Sequence, residues 1–497
     1  LLAVWLDKYL LSVMPQGAAP LPIAATPDLR VFAFTLLVSM LTGVLFGLVP
    51  AMQSTRADVA STLKDQAGSV TSKGAIRFRK SLVVAQVTLS LLLLIGAGLF
   101  IGSLRNLKTL NPGFRTSNLI TFSMNPVLNG YDRVKAREFY KNLQSTLETL
   151  PGVQSVGIGR VRLLDGDRSD STVTVEGYRS KDGEDMSPWV NVVGPNYFAT
   201  LGIPMVAGRE FRPSDEREMV PQEIIEKLDF NRQADRDRFE ELEKQLKGAP
   251  KYAIVNEKFA HYYFGDGSAI GRRFGFGGNP GTKTDIEIVG VVQNSMYSTL
   301  REQIPKQVFL PAMQAGGVAG MNVYLRTNLD PSQMFASVRR TIQGMDGTLP
   351  VYDLRTMNEQ IDRSLVTERM IAMLSAVFGI VATVLAMVGL YGVMAYTVAR
   401  RTREIGIRMA LGAFRRDVIW MVMREVLLLV GVGSGIGVIA AILLTRYIQT
   451  QLFGLTPNDP TTVAVATLIL IAIAALAGYL PAMRASRINP IRALRYE

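Results

Sequence analysis

Apolar residues along this chain gather into five long runs that contain no charged residue. The runs are 31–49, 82–104, 370–399, 426–445 and 460–483. The shortest has 19 residues, and an α-helix of about that length crosses the roughly 30 Å hydrocarbon layer of a bilayer. Buried helices of a large soluble core are the alternative, but they are usually shorter and carry a polar edge. The pattern therefore predicts five membrane-spanning helices.

The charged residues between the runs predict the direction in which each run crosses the membrane. The net charge is +12, and lysines and arginines concentrate at 56–80, 400–416 and 484–495. Short basic loops stay in the cytoplasm, and placing all three segments there makes every run alternate in direction without conflict. Residues 106–367 then lie outside the cytoplasm. Binding to nucleic acid is not needed to explain the charge, and none is predicted.

The long segment between the second and third runs mixes two periodicities. Alternating apolar residues predict strands at 171–178, 286–292 and 322–327, and helical spacing predicts helices at 134–150 and 332–344. The predicted fold class is an α-helical integral membrane protein with a large α+β extracytoplasmic domain. A highly charged stretch at 216–248, with Pro221 near its start, predicts an exposed helix or, less favoured, a docking arm for another envelope protein.

The sequence lacks residues that several kinds of catalytic and binding site require. The 497 residues contain no cysteine and one histidine, His261, which lies among aromatic residues and is predicted to be structural. No glycine-rich loop ends in Gly-Lys-Ser or Gly-Lys-Thr, so these residues do not form a P-loop. We therefore predict no catalytic, cofactor or metal site, and expect any ATP to be hydrolysed by a separate polypeptide.

An internal repeat links the first and last runs. The stretch GLVPAMQSTRADVASTLK at 47–64 matches GYLPAMRASRINPIRALR at 478–495, so that Pro50 corresponds to Pro481 and Arg56 to Arg487. Small residues four apart at corresponding positions are typical of helices that approach closely in a membrane. The repeat predicts that residues 1–64 are the tail of one membrane module and that a complete second module follows.

The fourth run contains glycines at every second position. They are Gly431, Gly433, Gly435 and Gly437. Close packing of helices and a flexible hinge both explain such glycines, and packing is the commoner reason.

The basic segment between the third and fourth runs carries the sharpest local pattern. Ile405, Met409 and Ala413 recur at helical spacing, and Ile407 and Leu411 are expected to widen the apolar stripe. The pattern predicts a short amphipathic helix along the membrane surface, although an irregular interfacial loop explains the residues equally well.

Four segments together resemble one known family. They are VVGPNYFATLGIPMVAGREF, AIVNEKFAHYYFG, TREIGIRMALGA and PAMRASRINPIRALRYE. In combination they resemble the MacB and FtsX type of ABC transporter permease, and the duplicated layout resembles the acidobacterial duplicated orphan permeases.

The resemblance implies an architecture and a mechanism. It implies a linker at 65–81, a span at 82–104, a MacB-like periplasmic core at 105–367 built from a porter-like part and a middle subdomain, and an FtsX-like module at 368–497. Residues 402–413 would be a coupling helix that docks on a separate cytoplasmic ABC ATPase. The residues expected to transmit the motion are Arg403, Glu404, Ile405, Gly406, Arg408 and Gly412.

Two functions follow from this resemblance. The first is a permease in the bacterial inner membrane that couples ATP hydrolysis to movements of outer domains, for efflux or envelope export. The alternative is a transmembrane signalling or scaffold protein that controls a periplasmic enzyme or sensor. Expected partners are the ATPase, the lipid bilayer and a periplasmic adaptor or other envelope protein, and the chain would act as a dimer or a single-chain pseudodimer.

Overall fold

A computed structural model describes residues 29–55, 72–212, 215, 224, 227–229, 232–245, 251–279, 281–312, 318–456 and 458–487. Its α-helices are α1 Leu29–Thr55, α2 Ser72–Thr109, α3 Arg133–Glu148, α4 Tyr197–Leu201, α5 Gln233–Gln245, α6 Glu257–Phe264, α7 Pro331–Met345, α8 Met357–Ser364, α9 Val366–Arg400, α10 Thr402–Ala410, α11 Arg415–Ile448 and α12 Pro460–Ala485. Its strands are β1 Leu119–Met124, β2 Val153–Gly159, β3 Val173–Val175, β4 Trp189–Val193, β5 Met205–Gly208, β6 Lys251–Asn256, β7 Arg273–Phe276, β8 Ile286–Val292, β9 Gln307–Pro311, β10 Met321–Thr327 and β11 Tyr352–Thr356. The chain divides into two compact units, one of them Lys108–Leu365 and the other the residues on either side.

Four helices of the second unit, the membrane unit, are long and apolar enough to cross a bilayer. In the described part of the chain they are α2, α9, α11 and α12. They contain the runs predicted at 82–104, 370–399, 426–445 and 460–483, so these four predictions are confirmed. The first predicted run lies on α1. Of this helix, residues 29–44 are exposed and apolar, and this stretch is shorter than the four spans. As a membrane span, that run stays a prediction.

The core of the membrane unit forms around one face of α2. Its apolar residues recur every four positions at Val83, Val87, Leu91, Ile95 and Leu99, and all five are buried. A spacing of four keeps side chains on one face of a helix. This face packs with α9, α11 and α12 in one cluster, in which α12 contributes mainly alanines. Such small residues let helix backbones approach closely.

The alternating glycines of α11 lie on two opposite faces. A methyl group added at Gly433 would come within 2.7 Å of Val87 Cγ1, and one added at Gly437 within 3.1 Å of Leu91 Cδ2. Gly431 and Gly435 have open space around them instead. Thr88 also donates a hydrogen bond of 2.9 Å to the Gly433 carbonyl. Two of the glycines therefore form a close crossing with α2, as the packing interpretation predicts.

The unit Lys108–Leu365 is built on one mixed sheet of 11 strands. The strand order is β11-β1-β10-β2-β4-β9-β6-β8-β7-β3, and β5 pairs with β8 off this path. The first four strands come from the two ends of the segment and the others from its middle. Strands from both ends of the segment therefore lie next to one another in the sheet, and the division into two subdomains stays a prediction. The strands predicted at 286–292 and 322–327 are β8 and β10, whereas only 173–175 of the predicted 171–178 are a strand.

Two hydrophobic cores follow this division of the sheet. In the first, α3 and α7 cover β1, β2 and β10 with residues such as Leu143 and Val338. These helices confirm the two predicted at 134–150 and 332–344, and Asp132 and Asp330 cap them by accepting hydrogen bonds from the backbone N–H groups of Lys135 and Ser332. In the second core, α6 packs on β6, β7 and β8. The α+β fold class is confirmed.

The charged stretch is not one continuous helix. The exposed helix α5 occupies Gln233–Gln245, but Leu228 and Asp229 are outside any helix. The Asp229 N–H donates to the Asp235 carboxylate, and the Asp229 carboxylate pairs with Arg232. Aspartates in such local contacts compete with helical hydrogen bonds, which explains the interruption. Pro221 and most of 213–226 lie outside the described residues.

Candidate functional site

The helix α10 lies in the basic segment between the second and third spans of the membrane unit. It was predicted at 402–413 but ends at Ala410. Gly412 adopts φ +95°, a left-handed conformation that glycine reaches without strain. The Ala413 N–H then bonds to the Arg408 carbonyl at 3.0 Å. The last three predicted residues therefore form the turn that leads into α11.

One side of α10 is fixed to the membrane unit. Ile405 is only 1% exposed and packs with Val418 of α11 and Ala485 of α12. Gly406 is also buried, and Met409 is half-buried against the same cluster. A side chain held in such a cluster moves with its neighbours, because packed interiors resist local deformation. The helix α10 is therefore packed directly against α11 and α12.

The other side presents large apolar residues to solvent. Ile407, Leu411 and Phe414 are 42%, 83% and 77% exposed. The expectation that Ile407 and Leu411 widen the stripe of Ile405 is wrong. Residues two apart on an α-helix lie about 200° apart around its axis, so Ile407 faces away from Ile405. Sequence reasoning also missed Phe414, whose only signal was a large aromatic residue beside arginines.

The charged residues predicted for motion transmission lie mainly on the exposed surface. Glu404 and Arg408 form an ion pair of 2.7 Å one turn apart, and both are about half exposed. The Arg408 guanidinium also donates to Met421 Sδ at 3.0 Å. Arg403 lies within α10, and its side chain is outside the described part. Of the six predicted residues, Ile405 and Gly406 are thus internal, and Glu404, Arg408 and Gly412 are accessible.

A second group of charges joins the cytoplasmic ends of the helices. Glu425 of α11 forms ion pairs with Lys80 of α2 and with Arg401, which precedes α10. The Glu425 side chain is only 17% exposed, and therefore partly shielded from water. Sequence reasoning missed this cluster, although Glu425, an acid directly before the apolar run 426–445, could have indicated it. The cluster connects α2, α11 and the residue that precedes α10.

Arginine–tyrosine contacts extend this connection. The Arg79 guanidinium lies 4.3 Å from the ring centroid of Tyr396 in α9, a cation–π geometry. Arg484 at the end of α12 donates to the Tyr391 hydroxyl at 2.6 Å. The inner ends of α2, α9 and α12 are therefore connected by side chains whose positions depend on one another.

The residues predicted from the internal repeat occupy helix ends. Pro481 is buried inside α12, and Arg487 is exposed just after its end. Pro50 lies within α1, and Arg56 is outside the described residues. The repeat relation itself stays a prediction.

Polar groups buried in the unit Lys108–Leu365 form a structural network. Arg162 and Arg355, both nearly buried, pair with Asp353, and Gln360 of α8 accepts from Arg355 at 2.8 Å. Burial alone would raise the pKa of Asp353, but the charges of Arg355 and Arg162 outweigh it and hold the pKa below its usual value. Asp353 also has φ +55°, and this conformation of a non-glycine residue is stabilised by the surrounding pairs.

A tyrosine cluster surrounds a second carboxylate. Hydrogen bonds from the hydroxyl groups of Tyr178 and Tyr262 and from the Lys181 N–H lower the pKa of Glu184 to about 2. The Lys306 ammonium lies 4.2 Å from the Tyr262 ring centroid. His261 is exposed on the adjacent turn of α6. Within the described ranges, no group of three His, Cys, Asp or Glu residues could hold a metal ion.

Two family models match the chain. The model of the MacB-like periplasmic core domain matches residues 81–343, more than half of the chain, and the model of the FtsX-like permease C-terminal domain matches residues 376–490. The second match contains α10 and the residues of α11 and α12 against which it packs.

Curated relatives agree with these matches. The macrolide export ATP-binding/permease protein MacB of Chromobacterium violaceum is 26% identical over 70% of this chain and 50% of its own length. Its namesake from Rhodopseudomonas palustris is 25% identical over 70% of this chain and 49% of its own length. This chain therefore spans about half the length of these relatives. The solved periplasmic region of MacB from Actinobacillus actinomycetemcomitans aligns over 51% of this chain and 94% of its own, with 13% identity and a TM-score of 0.30.

Proposed function

This chain belongs to the MacB/FtsX type of ABC transporter permease, and from that membership we propose that it couples ATP hydrolysis by a separate ATPase to movement of its periplasmic domain. The family and the four apolar helices make it an inner-membrane permease with a periplasmic domain. The matching models cover permease and periplasmic regions, and the 497 residues contain no P-loop.

The observation that carries the proposal is the two-sided packing of α10. Its inner side is buried through Ile405 against α11 and α12. Its outer side exposes Ile407, and the turn that follows it exposes Leu411 and Phe414. Exposed large apolar residues rimmed by charge are typical of protein interfaces. We propose that the ATPase binds Ile407, Leu411 and Phe414, and that Glu404, Arg408 and Gly412 lie at the rim of this contact.

The packed side then provides a route for the motion. A force on α10 would reach the inner ends of α11 and α12 through Ile405, and the end of α2 through Arg401, Glu425 and Lys80. Because Ile405 and Gly406 are buried within the unit, we assign them to transmission and not to ATPase contact.

Cysteine cross-linking tests the proposed contact directly, because the natural chain has no cysteine. Single Leu411→Cys and Phe414→Cys variants, co-expressed in turn with each candidate ABC ATPase of the same organism, should cross-link to one ATPase. Leu128→Cys, 73% exposed in the periplasmic unit, is the matched control and should not react with it.

Activity provides a second measurement. Leu411→Ser and Phe414→Ser should each weaken ATPase binding by about 2 kcal/mol, or roughly 30-fold, if they are central contacts. Stimulation of ATPase activity by the purified permease should fall accordingly. Unchanged stimulation, or cross-linking of the control alone, would contradict the proposal.

A further inference from the structure

A row of exposed residues, inclined to the helix axis, runs along α11 from its cytoplasmic end into the span. Arg416, Trp420 and Arg424 are one turn apart from each other and all exposed, and Trp420 is 61% exposed. The same spacing continues to Leu428 and Val432, which are 60% and 53% exposed. In order from the cytoplasmic end, the row therefore contains a cation, an indole and a second cation, and then only apolar residues.

Nearby acids do not neutralise the two arginines. Glu425 is directed to Lys80 and Arg401. The Asp417 carboxylate accepts a hydrogen bond from the Phe414 N–H at 3.1 Å and so caps the start of α11. The two acids of this part of the helix are therefore engaged with other groups, while Arg416 and Arg424 are exposed.

The surface beside Arg416 is concave. Arg416, Asp417, Ile419 and Trp420 line an open groove of about 470 Å³. Over eight residues α11 rises about 12 Å, so Arg416 and Arg424 could contact one headgroup from two depths. Tryptophan prefers the interface between headgroups and acyl chains, and guanidinium groups bind phosphate oxygens in pairs.

We propose that Arg416, Trp420 and Arg424 form a binding site for an anionic phospholipid of the inner leaflet. The phosphate binds the two arginines, the indole between them packs against the headgroup, and the acyl chains follow Leu428 and Val432. Charge complementarity and the continuation of the row into apolar surface favour a lipid over a soluble ligand. This inference is independent of the proposed ATPase contact, because it rests only on the membrane location of α11.

Quenching of tryptophan fluorescence by brominated lipids tests the site. The full chain is reconstituted with equal mole fractions of dibrominated phosphatidylglycerol or dibrominated phosphatidylcholine. The chain has three tryptophans, so the Trp420 signal is taken as the part lost in Trp420→Phe. We expect stronger quenching of Trp420 by phosphatidylglycerol, and about fivefold weaker selection for each arginine replaced in Arg416→Gln and Arg424→Gln.

Controls separate the possible ligands. Arg446→Gln, at the opposite end of the same helix, should leave the selection unchanged, and Arg416→Lys should retain more of it than Arg416→Gln. Equal quenching by the two lipids in the natural protein, or unchanged selection in both glutamine variants, would overturn the proposal. Loss of selection on adding inorganic phosphate would also overturn it, by assigning the arginines to a free phosphate ion.

Discussion

Replacing single glycines of α11 by alanine measures how tightly α2 and α11 pack. In Gly433→Ala the new methyl group would meet Val87 Cγ1 at 2.7 Å and Val87 Cβ at 2.9 Å. In Gly435→Ala, two residues further on, it would have no atom within 4 Å. The two variants therefore make the same chemical change on opposite faces of one helix.

The difference between the variants isolates the packing energy. Alanine gains about 1 kcal/mol over glycine in a helix, and this gain cancels in the comparison. Overpacking costs about 1–3 kcal/mol, and displacement of the Thr88 hydrogen bond to Gly433 removes about 0.6 kcal/mol more. We expect Gly433→Ala to be less stable than Gly435→Ala by about 1.5–3.5 kcal/mol, the sum of these two costs.

Equilibrium unfolding of the full chain in mixed micelles with increasing dodecyl sulfate, followed by helical circular dichroism, would measure the difference. Gly437→Ala should lie between the two variants, because its methyl group meets Leu91 at 3.1 Å and not 2.7 Å. Equal unfolding free energies for Gly433→Ala and Gly435→Ala would refute the close crossing. A larger loss of unfolding free energy in Gly435→Ala would indicate that the close helix contact is on the face of Gly435 and not on that of Gly433.

Three further predictions concern charge and burial. Glu425→Gln should lower the unfolding free energy by about 1.5–3 kcal/mol, because it leaves two cations without their carboxylate. In the same micelle titration, replacement of the exposed Glu404 in Glu404→Gln should lower the unfolding free energy by at most about 0.5 kcal/mol. Since the folded pKa of Glu184 is about 2 and its ordinary value is 4.5, its stabilising effect should be fully present above pH 4.5 and lost as the pH falls towards 2. The protection factors of amides around this residue, which correct for the intrinsic exchange rate at each pH, should fall over that range, and less steeply in Glu184→Gln. Tyr140→Phe should destabilise the periplasmic unit by about 1–3 kcal/mol in thermal unfolding, because its buried hydroxyl bonds to the Met124 carbonyl at 2.7 Å, and a loss below that range would indicate that water replaces the hydroxyl.

The membrane helices and the fold class could be predicted because their signals are local. A bilayer requires about 20 consecutive apolar residues per span, and such a requirement can be counted along the chain. Strands were predictable where alternation was regular, as in Ile286–Val292, and less so at Val173–Val175, where three residues are too few to define a period. The interruption at Asp229 was missed because local side-chain contacts there outweigh the charge pattern.

The amino-acid sequence alone determined which segments are apolar enough to span a membrane and which loops are basic, but it left a helix and an irregular loop equally open at residues 402–413. Only the tertiary structure decided that Ile405 faces inward and Ile407 outward, that Gly433 and not Gly435 meets α2, and that Glu425 pairs with Lys80 345 positions away in the chain. The physical reason is that hydrophobicity belongs to each residue, whereas burial, close approach and ion pairing depend on which surfaces distant segments bring together.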